Sequence, residues 1–108
     1  MIYNFDELDT FDKVFNKGLQ LAKEDEIEAQ EFFKQYIDLI IKEQHCDIEK
    51  ATRIAKSNFG YFAGYYNQEV CDIIYKTYQC FHPIFGNKPF EVDPEEAYKK
   101  GLELGNNI

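Results

Sequence analysis

Five short polar residues, Thr10, Asp25, Asp47, Asn67 and Asp93, each stand just before a run of apolar residues spaced three and four apart. Such a residue can take up backbone N–H groups that the first turn of a helix leaves unmatched, and the spacing behind it makes one apolar stripe per helix. The repeated pattern predicts an all-α chain, and each stripe needs the others to cover it.

The first helix is predicted over residues 10–23, with Phe11, Val14, Phe15 and Leu19 inward. Asp25 opens the second, with Glu28 three residues on in a capping-box arrangement and a stripe of Ala29, Phe33, Tyr36, Ile37, Ile40 and Ile41. After His45 and Cys46, Asp47 caps a third helix carrying Ile48, Ala51, Ile54 and Ala55, which runs into an aromatic and glycine-rich segment. Asn67 ends that segment and caps the fourth helix, whose stripe Val70, Ile73, Ile74, Thr77 and Tyr78 should fade near Gln79. His82-Pro83 opposes continuation, so residues 80–92 read as a Pro/Gly loop packed down by Phe85 and Phe90. Asp93-Pro94-Glu95-Glu96 then starts a fifth helix ending at Gly105. The expectation is one compact domain over residues 1–108, with about five helices, a packed loop before the last, and candidate flexible ends at 1–9 and 106–108. Gly18 and Gly101 occupy matching places in the first and fifth helices. A mid-helix glycine costs about 1 kcal/mol against alanine, so each is expected to permit a close crossing.

A chain of 108 residues with 44% hydrophobic and 17% aromatic content can build one core without a disulfide or metal staple. Its net charge of −8 and single arginine, Arg53, leave it without the basic footprint that direct contact with nucleic-acid phosphates requires. Lys42, Lys50, Arg53 and Lys56 make a modest basic strip that reads as a solvated helix face. Three cysteines in no framework spacing and an N-terminus without a leader pattern point to the cytoplasm, and no apolar run is long enough to span a membrane.

Residues 58–67, Asn-Phe-Gly-Tyr-Phe-Ala-Gly-Tyr-Tyr-Asn, hold five aromatics, two glycines and two asparagines, and residues 80–86 echo them with Cys-Phe-His-Pro-Ile-Phe-Gly. Aromatics bring large burial energies, glycines allow close approach, and amides supply donors and acceptors, so the segment reads as a contact surface or its scaffold. Asn58 falls beside the buried stripe and is expected to latch onto backbone of the 80–86 loop. The candidate binding residues are Asn58, Tyr61, Tyr65, Tyr66, His82 and Phe85. Cys80, His82, His45 and Cys46 lack zinc-knuckle spacing, and Cys80 with His82 lacks a third orienting group, so no metal, cofactor or catalytic residue is expected.

In Asn58-Phe-Gly-Tyr-Phe-Ala-Gly-Tyr-Tyr66, Phe81-His-Pro-Ile-Phe-Gly86 and Asp93-Pro-Glu-Glu-Ala-Tyr98 with Gly101, the chain resembles a family of small uncharacterised proteins common in phages and prophages. The resemblance covers roughly residues 29–105 and implies a genomic setting rather than a chemistry. Members of that family often carry a basic residue shortly after Gly-Tyr-Tyr, whereas Glu69, Val70 and Cys71 follow Asn67 here. The expected function is that of a non-enzymatic acidic binding protein, a host-takeover or counter-defence factor that occupies a host or phage protein's surface. The alternative is a pocket protein that sequesters a small nucleotide-like molecule, and a homodimer seam is a further expectation.

Overall fold

The structure is a computed structural model that describes residues 2–63 and 66–80, without the side chain of Tyr61. Four helices follow in order: α1 (Phe11–Glu24), α2 (Glu26–Gln44), α3 (Ile48–Ala63) and α4 (Gln68–Tyr78). Among the described residues there is no strand. The expected fifth helix, Gly101 and nearly all of the 80–92 loop lie outside the described residues.

Four of the five expected caps lie among the described residues, and the side chain of each accepts an N–H of the first turn behind it, although the Asp25 N–H goes to Leu21 O rather than to Glu28 as a capping box requires. Thr10 accepts from Lys13 N at 3.3 Å, Asp47 from Lys50 N at 2.8 Å, and Asn67 from Val70 N at 3.0 Å. Asp25 serves two helices at once, closing α1 through its own N–H to Leu21 O at 2.8 Å and accepting Ile27 N and Glu28 N at the start of α2. A one-residue joint leaves no slack, so α1 and α2 meet as a tight pair. His45 and Gln79 end α2 and α4 in the left-handed conformation, at φ of 52° and 56°.

α2 packs against each of the other helices, and α4 also packs on α1 and α3. The gap between α1 and α3 is filled by rings. Phe11 and Phe15 of α1 meet Phe59 and Phe62 of α3 with centroids 4.7–5.7 Å apart. Each fully buried phenyl ring contributes about 1.5–3 kcal/mol relative to an exposed one, so this layer supplies much of the apolar driving force.

Gly18 provides the close crossing expected of it. A Cβ there would lie 2.8 Å from Phe59 Cε2, and the Gly18 carbonyl accepts the Tyr78 hydroxyl at 2.5 Å. The missing side chain thus lets an α3 ring reach the turn of α1 whose carbonyl takes the α4 hydroxyl.

Tyr3 and Phe5, in the segment before α1, contact α2. Tyr3 N donates to Gln35 Oε1 at 2.9 Å and Tyr3 Oη donates to Glu28 Oε2 at 2.5 Å, while the Tyr3 and Phe5 rings cover Phe32 at 5.0 and 5.4 Å. Phe32 is outside the stripe read from the sequence yet is fully buried, because this segment supplies its second wall.

Candidate functional site

The six residues singled out in the sequence fall into three groups. Asn58 is in the core, Tyr66 is at the surface, and Tyr65, His82, Phe85 and the Tyr61 side chain lie outside the described residues.

Asn58 has no exposed surface. It sits on the inner side of α3 with Ile54, Ala55 and Phe62, a turn or so along the same apolar face. Its latch differs from the expected one: Nδ2 donates to the Tyr36 hydroxyl of α2 at 3.1 Å, joining two helices. Oδ1 is buried and accepts no hydrogen bond. Exchanging the two ends of the amide would let the Tyr36 hydroxyl donate to the oxygen but leave the nitrogen unmatched. A buried amide atom without a partner costs about 1–3 kcal/mol, so Asn58 is held at some expense to stability.

Tyr66 closes the hinge between α3 and α4, with its N–H on Ala63 O at 3.0 Å. The half-buried ring stacks on Phe15 at 5.2 Å and 17°, and its hydroxyl reaches Asp12 Oδ1 at 3.4 Å and Asn16 Oδ1 at 3.5 Å. Asp12 and Asn16 are one turn apart on the exposed side of α1, and Asp9 stands a turn before. The result is a corner where an aromatic ring, a carboxylate and an amide share one surface. The sequence pointed to Tyr66, but its α1 neighbours could be found only once the hinge placed the ring over Phe15.

A second concave feature was not read from the sequence. Tyr3, Phe5, Gln35, Asp38, Leu39 and Lys42 line an open groove of about 280 Å³ between the N-terminal segment and α2. Two rings and a leucine form its apolar floor, with an amide, a carboxylate and an ammonium at its edges. The Lys17 ammonium stands over the Tyr3 ring, 6.0 Å from its centroid.

The buried titratable groups are set for packing. Burial pushes the Cys80 thiol and the Tyr78 hydroxyl well up, the former against a lowering by nearby Lys56. Burial and then Asp72 raise the Cys71 thiol, which donates to Ala63 O at 3.2 Å. Burial and the Glu28 carboxylate push Tyr3 up to about 12. Thiols held in the neutral form are poor nucleophiles. Cys46, Cys71 and Cys80 are all free, and among the described residues no three His, Cys, Asp or Glu side chains converge as metal ligands. Among the described residues no helix is long and apolar enough to cross a membrane.

Compared with models of known protein families, with curated proteins and with solved structures, the chain matches none.

Proposed function

We propose that the protein is a non-enzymatic binding protein that meets a protein partner through the corner formed by Tyr66, Asp12 and Asn16. The observation that carries this reading is the Tyr66 ring, half-buried on Phe15 and rimmed by a carboxylate and an amide whose contacts to its hydroxyl are 3.4 and 3.5 Å. Partly exposed tyrosines are among the residue types on which interface energy concentrates. A chain carrying −8 net charge favours a partner with a basic surface. The resemblance in residues 29–105 suggests a phage setting, and with it host takeover or counter-defence in the host cytoplasm.

The test is affinity capture from bacterial lysate at native and high salt, with wild type, Tyr66→Ala and Asp12→Asn compared. The expected result is a captured protein whose yield falls with either substitution, and with salt when Asp12 is intact. Capture that both variants retain in full overturns the assignment of the corner.

A second reading, sequestration of a small nucleotide-like molecule, is supported by the groove at Tyr3 and Phe5. There a base would lie against the Tyr3 and Phe5 rings, with the Gln35 amide reading its edge. Native mass spectrometry of the purified protein and melting with added nucleotides test it. An empty protein whose melting temperature no nucleotide moves removes this reading.

A further inference from the structure

The sole arginine of this acidic chain has no ion-pair partner among the described residues. Arg53 is half-buried on α3, its Nε is buried and has no hydrogen-bond partner, and among the described residues no carboxylate pairs with it, Glu49 one turn earlier included. Lys50 and Lys56 flank it at three-residue steps, a spacing that brings neighbouring Cβ atoms to roughly 5–6 Å on one side of a helix. Both are also half-buried, whereas Lys13, Lys23, Lys34, Lys42 and Lys76 are exposed. Lys17, the other half-buried lysine among the described residues, has the Tyr3 ring nearby. The Arg53 Nε is therefore out of water with no partner, between two half-buried lysines, and among the described residues no acid forms an ion pair with any of the three side chains. Desolvating a cation without a counter-charge is unfavourable, and an anion bound there would reverse that cost.

We propose that Lys50, Arg53 and Lys56 form a binding site for the phosphate group of a small ligand. Arginine presents a planar fork that matches the oxygens of phosphate or carboxylate, while lysine acts as a point charge. A single carboxylate would occupy the fork and leave both lysines unmatched. A phosphate group carries more charge and further oxygens, enough to engage the fork and a lysine on either side. The site is on α3 and uses none of Tyr66, Asp12 or Asn16, so it stands or falls apart from the protein-binding corner. It differs from a nucleic-acid surface in extent: three cations over two turns suit one or two phosphates, not a backbone.

Calorimetric titration with inorganic pyrophosphate, at fixed ionic strength in chloride, tests the proposal. Arg53→Met keeps the apolar stem and removes the fork, Lys50→Gln with Lys56→Gln removes the flanking charges, and Lys76→Gln on α4 serves as a control. The expected result is saturable binding that weakens about tenfold or more in Arg53→Met and in the double variant, but not in the control. Without ligand, Arg53→Met should melt no lower than wild type, since it removes an unpaired cation. Absence of saturable binding overturns the proposal, as does binding that all variants share. Citrate binding as tightly as pyrophosphate would overturn the phosphate assignment. Tighter binding of ADP than of pyrophosphate, lost in the same variants, would support it and identify the phosphate as carried on a nucleoside.

Discussion

Replacing Gly18 by alanine sets two opposed effects against each other. In an ordinary exposed helix position the change gains about 1 kcal/mol, because alanine loses less backbone freedom on folding. Here the new methyl would begin 2.8 Å from Phe59 Cε2, 3.2 Å from Cζ and 3.4 Å from Phe32 Cε2. To restore ordinary contact the Phe59 edge must retreat by about 0.6 Å. It has nowhere to go, because Phe33, Tyr78, Tyr36, Phe15 and Phe11 surround it at centroid distances of 5.1–5.7 Å. Inserting a methyl into such a core costs about 1–3 kcal/mol. The helix gain offsets part of this, leaving a net loss of about 1 kcal/mol and a fall of roughly 4–8 °C in melting temperature. Denaturant and thermal unfolding followed by circular dichroism measure both. In a Phe59→Leu background, where the ring edge is gone, the same Gly18→Ala change should become neutral or stabilising. A higher melting temperature for Gly18→Ala in the wild-type background would refute the argument, since it would mean that no ring blocks the methyl.

Asn58→Asp should be far more damaging at pH 7 than at pH 4: a buried carboxylate with one hydroxyl neighbour has its pKa raised, so stability present below its unfolded value of about 4 is lost as pH rises. Urea melts at the two pH values check this, and a gap from wild type that does not change with pH would count against the site's burial. Wild-type stability should hold up to about pH 9 and then fall, because Cys80, Tyr78 and Tyr3 have raised values in the fold and ionise earlier when unfolded, from ordinary values of 9.0 and 10.0. Each proton difference contributes about 1.4 kcal/mol per pH unit, so thermal melts at pH 8 and 11 that coincide would exclude it. In thiol labelling of the native protein, half-buried Cys46 should react first and Cys71 and Cys80 only at the rate of opening; fast reaction of Cys80 would contradict its burial.

How far the sequence could be read depended on the range of the interaction. Thr10, Asp25, Asp47 and Asn67 were legible because a cap binds N–H groups two or three residues away, and the helices they open begin within a residue of the expected places. Gly18 was legible for a related reason: its cost in a helix is local, so its presence implies a neighbour. The neighbour's identity was not, since Phe59 and Tyr78 reach that turn only through the packing of α3 and α4. Phe32 was missed because the residues that bury it, Tyr3 and Phe5, stand some 30 positions earlier and outside any periodic pattern. The two-helix joint at Asp25 was half seen, as the start of α2 but not the end of α1.

The aromatic run at residues 58–67 illustrates how one composition can serve two ends. Helical geometry sends Asn58, Phe59 and Phe62 inward, where Phe59 and Phe62 complete the ring layer against α1 and Asn58 fastens α3 to Tyr36. Past Ala63 the helix stops, the chain turns, and the next described aromatic, Tyr66, lies across Phe15 with its hydroxyl at the surface. Sequence periodicity can say that a run of aromatics is too rich for one stripe, but where the helix ends decides which rings are core. The same break that gives α4 its cap at Asn67 thus brings Tyr66 over Asp12 and Asn16, so a substitution that extends α3 through residue 66 should abolish the corner while leaving the Phe59 layer intact. Separate loss of partner capture with an unchanged melting temperature would mark the hinge, rather than the aromatic content, as what creates the surface.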